Sequence, residues 1–74
     1  MTRVRLGNRL KTLREQRGYS QEKLAKLIGV SRSTLSNYEK DKTSPKMDVL
    51  ENMAIHLDTT IIWLCSEFNP ELFL

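Results

Sequence analysis

At 74 residues the chain has room for one domain. Because a chain of this size buries only about 60% of the surface that it exposes when unfolded, a large enzyme with a deep active-site cleft is excluded. Apolar residues make up 39% and charged residues 28%, which is typical of a folded domain rather than a disordered chain.

The first half of the chain predicts two short helices. Apolar and polar residues do not alternate with a period of two, which is the pattern that would predict a strand. Leucines at helical spacing between residues 6 and 13 predict the first helix, and Gly18 is its stop signal. Ser20 can cap the second helix, which is expected to end at Gly29. The apolar face of the second helix consists of Leu24, Ala25 and Ile28.

Three more helices are predicted in the second half. Ser31 can cap the third helix, and residues 40–44 form a polar loop after it. Pro45 either opens the fourth helix, with Ser44 as its cap, or immediately precedes that helix, and Asp58 can cap the fifth. The predicted inner face of the third helix consists of Leu35 and Tyr38. That of the fourth consists of Leu50, Met53, Ala54 and Leu57, and that of the fifth consists of Ile61, Ile62, Leu64 and Cys65.

The segment QEKLAKLIGVSRSTLSNYEK, residues 21–40, has the pattern of two short helices that cross closely. Ala25 is small where the helices press together, Gly29 supplies a left-handed turn, and Val30 fills the gap between them. The third helix has an apolar side and a polar, cationic side, which suits a helix that lies in a DNA major groove. The polar side consists of Arg32, Ser33, Ser36, Asn37 and Lys40.

From Asn8 to Leu64 the chain resembles the Cro and lambda-repressor type of helix-turn-helix domain, also called the xenobiotic-response-element family of bacterial and phage regulators. The resemblance is carried by RLKTLREQRGYSQEKLAKLIGVSRSTLSNYEKDKTSP and then by LENMA and IHLD. It implies an all-α, five-helix domain over residues 1–66, in which helices 2 and 3 form the helix-turn-helix and helix 3 reads DNA. In this family a helix-1 arginine pairs with a glutamate near the end of helix 3, and Arg14 and Glu39 match those positions.

Two sets of side chains are predicted to contact DNA. Those expected at base edges are Arg32, Ser33, Ser36 and Asn37. Those expected at phosphates are Gln21, Ser31, Lys40, Lys42 and Thr43. The alternative for each set is a solvated surface without a ligand. Arg3, Arg5 and Arg9 are interpreted either as a basic arm or as charges that confer solubility.

The charge distribution agrees with a polyanionic partner. All 12 Lys and Arg lie within residues 1–46, which hold four acidic residues and so carry a net charge of +8, whereas residues 47–74 hold five acidic residues and no Lys or Arg. Nucleic acid is the commonest polyanion that such a basic region binds. The alternative is that these charges only solvate helix surfaces.

The C-terminal tail, residues 67–74, is rich in apolar residues, although it ends the acidic part of the chain. One hypothesis is a homodimer through helix 5 and the tail, which binds a roughly palindromic DNA site. The other is that the tail folds back over its own core. The predicted dimer contacts are Ile62, Trp63, Phe68 and Phe73.

Catalytic, metal and membrane roles are not indicated. Cys65 is the single cysteine and His56 the single histidine, and nothing in the sequence pairs them as nucleophile and base. They provide no metal-ligand set, and no cofactor motif occurs. The longest apolar run, residues 61–65, is too short to span a membrane, and no signal-peptide core is present, so we expect a cytoplasmic protein.

Three functions follow from these observations. The first is a sequence-specific, double-stranded-DNA-binding transcriptional regulator of the repressor kind. The second is an antitoxin-like protein that binds DNA through the same helices and also binds a small toxin protein. The third is an interaction domain without DNA binding, which the cationic side of helix 3 argues against.

Overall fold

A computed structural model describes residues 6–61 and residue 64 of the chain. Its four helices are α1 (Leu6–Gln16), α2 (Gln21–Ile28), α3 (Arg32–Glu39) and α4 (Met47–His56), and no strand occurs in these residues. Ile61 and Leu64 are also helical, and the Leu64 N–H donates to the Thr60 carbonyl at 3.0 Å. The all-α class and the α2–α3 helix-turn-helix are therefore confirmed. Ile62 and Cys65 of the predicted fifth helix, and the tail, lie outside the described residues.

The caps of α2 and α3 are the ones that the sequence predicts. Ser20 Oγ accepts the backbone N–H of Lys23 at 3.0 Å, and Ser31 Oγ accepts that of Thr34 at 3.0 Å. These hydroxyls satisfy N–H groups that have no partner inside the helix. Gly29 ends α2 with a left-handed backbone, φ 76°. The tight turn between α2 and α3 follows from these local interactions.

The two other predicted caps are wrong. Lys46 is the N-cap of α4 and makes no side-chain capping bond, so the helix begins at Met47, beyond the reach of Ser44 as a cap. Pro45 lies before the helix and is buried. Asp58 has a left-handed backbone, φ 52°, whereas an N-cap requires an extended one. The helical turn after α4 begins beyond it, at Ile61.

One core joins the four helices. Helix α2 packs against both α3 and α4, and α3 also packs against α1. The predicted inner faces of α2, α3 and α4 are buried, as expected from their helical spacing. The largest fully buried side chains are Leu10, Leu24, Leu35, Met53, Leu57 and Leu64. The longest of the four helices has 11 residues, and no described helix is suited to crossing a lipid bilayer.

A long-range contact of Arg17 holds the ends of α1 and α4 together. Its Nε and Nη2 atoms donate to the carbonyl oxygen of Leu57 at 3.0 and 2.6 Å. The carbonyl groups at a helix C-terminus lack partners inside the helix and attract cations. Arg17 therefore acts as a side-chain cap for the end of α4 from 40 residues away.

Candidate nucleic-acid interface

Helix α3 has one side in the core and one side turned outward. Leu35, Tyr38 and Glu39 are buried, whereas Arg32 and Ser33 are exposed. Because residues three or four positions apart share a helix face, this division follows from the sequence RSTLSNYE. The outward side of α3 thus carries no large apolar side chain and is accessible to a ligand.

The four predicted base contacts lie together around one hollow on the surface. Ser36 and Asn37 are half-buried, and the exposed Arg32 and Ser33 complete the wall of the hollow that α3 provides. Gln21, the first residue of α2, also lines this hollow. The side chains around this hollow supply several hydrogen-bond donors and acceptors, which is the chemistry needed at base edges.

Four of the five predicted phosphate contacts lie at the two ends of α3, whereas the fifth, Gln21, is the first residue of α2. Lys42 and Thr43 are exposed in the loop that follows the helix, and the exposed Lys40 is its C-cap. The Lys42 N–H donates to the Asn37 carbonyl at 2.9 Å, which folds the loop back over the end of α3. The Ser31 hydroxyl at the other end is already engaged as the N-cap and also shares a 2.8 Å hydrogen bond with the hydroxyl of Thr34.

A buried ion pair lies behind the hollow. Arg14 Nε is 2.6 Å from Glu39 Oε2, and Arg14 Nη2 is 3.2 Å from Glu39 Oε1. The third donor, Arg14 Nη1, contacts the Tyr19 carbonyl at 2.8 Å. This bidentate geometry is the strong form of an arginine–carboxylate contact, and it connects α1 to the end of α3. The pair implied by the family resemblance is thus present.

Gln21 is attached to the same carboxylate. Its Nε2 atom donates to Glu39 Oε1 at 3.0 Å. Gln21 and Glu39 are 18 residues apart on different helices, and no spacing rule in the sequence predicts this hydrogen bond. Only the crossing of α2 and α3 brings them together.

One other sequence interpretation, that of Arg9, changes in the structure. Arg9 is a buried residue of α1, 7% exposed, so it belongs neither to a basic arm nor to the solvated surface. Arg3 and Arg5 lie outside the described residues. So do the four predicted dimer contacts, Ile62, Trp63, Phe68 and Phe73. Within residues 6–61 and residue 64, no group of three His, Cys, Asp or Glu side chains is placed to hold a metal ion.

Comparison with known proteins gives one consistent result. The sequence profile of a family described as helix-turn-helix matches residues 10–64. The HTH-type transcriptional regulator SinR of Bacillus licheniformis is 36% identical over 63 residues, which are 84% of this chain and 57% of SinR. The chain thus spans little more than half the length of this curated relative.

Solved structures of two such proteins superimpose on the chain. The P22 c2 repressor in complex with a synthetic operator has a TM-score of 0.84 at 25% identity, over 88% of this chain and 98% of the repressor chain. SinR in complex with DNA has a TM-score of 0.74 at 35% identity, over 80% and 95% of the two chains. A structure of a SinR–SinI protein complex has a TM-score of 0.78 at 32% identity, over 92% of this chain and 71% of the matched chain.

Proposed function

The chain belongs to the helix-turn-helix family, and we propose that it is a sequence-specific, double-stranded-DNA-binding transcriptional regulator that acts as a repressor. It inserts α3 into the major groove. Such a regulator acts in the cytoplasm, without enzymatic activity and without a cofactor.

The observation that carries the proposal is the hollow formed by Gln21 and the outward side of α3. Four polar residues of one short helix surround it, and a buried ion pair anchors the far end of that helix. A rigid helix with a polar, cationic outer side fits the width of the major groove. Two similar proteins, SinR and the P22 c2 repressor, have been solved in complex with DNA, which supports DNA binding by this chain.

In the proposed complex, two groups of residues have different tasks. Base edges are read by Arg32, Ser33, Ser36 and Asn37. Phosphates are held by Lys40, Lys42 and Thr43 after α3 and by Ser31 and Gln21 at the helix N-termini, where backbone N–H groups favour anions. The exposed lysines provide the part of the affinity that is independent of sequence.

We further propose a homodimer on a roughly palindromic site. A twofold pair of such domains places two α3 helices about 34 Å apart, which is one turn of DNA. The dimer contacts proposed from the sequence are Ile62, Trp63, Phe68 and Phe73, since apolar residues concentrated at the end of an acidic segment are suited to an interface.

A second candidate function adds a protein partner. SinR, which is similar to most of this chain, forms a complex with the protein SinI. This supports an antitoxin-like alternative, in which the chain binds DNA and a second small protein. Purification of the tagged chain from its native host distinguishes the two candidate functions, because only the antitoxin-like function requires a stoichiometric partner protein.

Selection of bound sequences from a random pool of double-stranded DNA tests the main proposal. We expect enrichment of one roughly palindromic motif, and a mobility-shift titration should show tighter binding to it than to random duplexes. Absence of enrichment over several rounds, with a protein that melts cooperatively, would contradict sequence-specific binding.

A further inference from the structure

Asp41 follows the last turn of α3 and has a left-handed backbone, φ 59°. Two hydrogen bonds close the end of the helix around it. The Asp41 N–H donates to the Tyr38 carbonyl at 3.1 Å, and the Lys42 N–H donates to the Asn37 carbonyl at 2.9 Å. This pair of bonds is the Schellman ending of a helix, whose left-handed position is usually a glycine. Asp41 thus suits its own turn less well than glycine would.

The side chain of Asp41 reaches the first turn of α1. Its Oδ1 atom accepts the N–H of Gly7 at 3.1 Å, and a side-chain carbon at position 7 would lie 2.9 Å from its Oδ2 atom. The first N–H groups of a helix have no partner inside it, and a helix N-terminus favours a negative charge. Helix α1 has no acidic residue in its own first turn. Asp41 supplies this charge from 34 residues away.

The segment that Asp41 joins to α1 carries two of the proposed phosphate contacts. Lys40 and Lys42 are the neighbours of Asp41 in the sequence, and both are exposed. Because the turn is closed onto α3 and the carboxylate is bound to α1, the backbone of both lysines is held from two sides. A loop that is ordered before binding loses less conformational entropy when a ligand binds, which raises the affinity.

The charge of Asp41 acts in the opposite direction. A carboxylate between two lysines that bind phosphates repels the DNA backbone. The negative charge therefore lowers the affinity for DNA, whereas the hydrogen bond to Gly7 raises it by ordering the loop. Because the two effects have opposite signs, substitutions at this one position can separate them.

We propose that Asp41 is a positioning residue, whose carboxylate caps α1 and thereby holds the backbone of Lys40 and Lys42 in place for DNA phosphates. This inference rests on the proposed function. It adds to that function a residue that contacts no DNA and acts through the loop in which it lies.

The contact with α1 is tested first, in the free protein, by hydrogen exchange measured with NMR. We expect the Gly7 N–H to exchange slowly in the unmodified chain and in Asp41→Asn, because the amide oxygen of asparagine accepts the same hydrogen bond. In Asp41→Gly it should exchange about 2- to 10-fold faster. Asp58→Gly is the matched control, since Asp58 is also an exposed aspartate with a left-handed backbone, φ 52°. Equal exchange of Gly7 in the two Asp41 variants would overturn the proposal.

The positioning role is tested with the full chain and duplex DNA. Asp41→Asn and Asp41→Gly have the same charge, and both residues tolerate a left-handed backbone, so they differ in the acceptor for Gly7. We expect Asp41→Asn to bind preferred and random duplexes at least as tightly as the unmodified chain, because the repulsion is removed. Asp41→Gly should bind both about 2- to 10-fold more weakly than Asp41→Asn. Asp58→Asn and Asp58→Gly should bind DNA equally.

A further variant separates the hydrogen bond from the flexibility of glycine. Asp41→Ala also lacks the acceptor but is less flexible than glycine, and it should likewise bind more weakly than Asp41→Asn. Weakening by Asp41→Gly but not by Asp41→Ala would assign the effect to glycine and contradict the proposal. Fluorescence anisotropy measures the affinities, at a temperature at which thermal melting shows every variant to be folded.

Two other outcomes decide against the proposal. Equal affinities of Asp41→Asn and Asp41→Gly, with a lower melting temperature for Asp41→Gly, would give Asp41 a role in stability alone. If the unmodified chain binds no duplex, the proposed function fails and the positioning role fails with it. The exchange rate of the Gly7 N–H still shows in that case whether the hydrogen bond to Asp41 exists.

Discussion

Gly7, in the first turn of α1, packs directly against the backbone carbonyl group of Glu39 at the end of α3. A side-chain carbon at position 7 would overlap with the carbonyl oxygen of Glu39 and lie 2.8 Å from its carbonyl carbon. The Gly7 N–H also donates to Asp41 Oδ1 at 3.1 Å. Glycine is therefore required at this position because two backbones approach closely, and the contact fixes α1 against the end of the proposed recognition helix.

Gly7→Ala should destabilise the protein even though alanine favours helices. The added methyl group meets backbone atoms, which cannot move aside as a flexible side chain does, and overpacking of this kind costs about 1–3 kcal/mol. Chemical denaturation measures the change in the free energy of unfolding. Asn8→Ala, at the exposed neighbouring position, is the control and should be neutral or slightly stabilising. A Gly7→Ala protein as stable as the unmodified chain would contradict the close approach.

The Arg14–Glu39 pair should show strong energetic coupling. Glu39→Gln or Arg14→Met alone leaves a buried charge without its partner, which costs about 3–5 kcal/mol. The double variant should recover part of that loss, because neither charge remains. Urea denaturation of the three variants gives the coupling energy, with exposed Glu15→Gln as the control. Strictly additive losses would show that the two side chains do not interact in solution.

Binding to DNA should weaken steeply with salt. The logarithm of the association constant should fall linearly with the logarithm of the salt concentration, with a slope of about −0.9 for each phosphate neutralised. Lys42→Ala should make the slope shallower by about one such unit, whereas Glu51→Gln on α4 leaves the number of cationic contacts unchanged. Fluorescence anisotropy at several salt concentrations measures the slope. A flat response would remove the DNA proposal.

Arg32 and Lys42 should differ in the kind of binding that they support. Arg32→Ala should cost about 1–3 kcal/mol on the preferred site and relax the preference there, most strongly at a guanine. Asn37→Ala should act in the same way at an adenine. Lys42→Ala should instead weaken binding to all duplexes alike. Competition titrations with preferred and random DNA separate these cases, and equal losses for Arg32→Ala on both would reassign Arg32 to a phosphate.

Deletion of residues 68–74 tests the proposed dimer. We expect the intact chain to sediment as a dimer, and the shortened chain to shift toward monomer because apolar contacts are removed. Binding to a full palindromic site should weaken far more than binding to a half-site, since only the full site engages both domains. Sedimentation of the intact chain as a monomer at high micromolar concentration, without DNA, would contradict the proposal.

Local patterns in the sequence predict helices α1, α2 and α3 and the turn between α2 and α3. Ser20 and Ser31 cap the helices that follow them, and Gly29 provides the left-handed turn, because each of these interactions involves residues close along the chain. The apolar spacing likewise selected the buried faces of α2, α3 and α4. The Arg14–Glu39 pair followed from the resemblance to a family, and no local pattern in the chain predicts it.

The contacts between residues far apart in the sequence depend on how the helices pack. Gly7 meets Glu39, Gln21 donates to Glu39, and Arg17 caps α4 at Leu57, across 18 to 40 residues of sequence. The two wrong caps have the same origin, because the path of the chain into α4 and out of it depends on how the helices pack. Helix crossing angles are set by the fit of whole side-chain surfaces, so a pattern along one helix does not contain them.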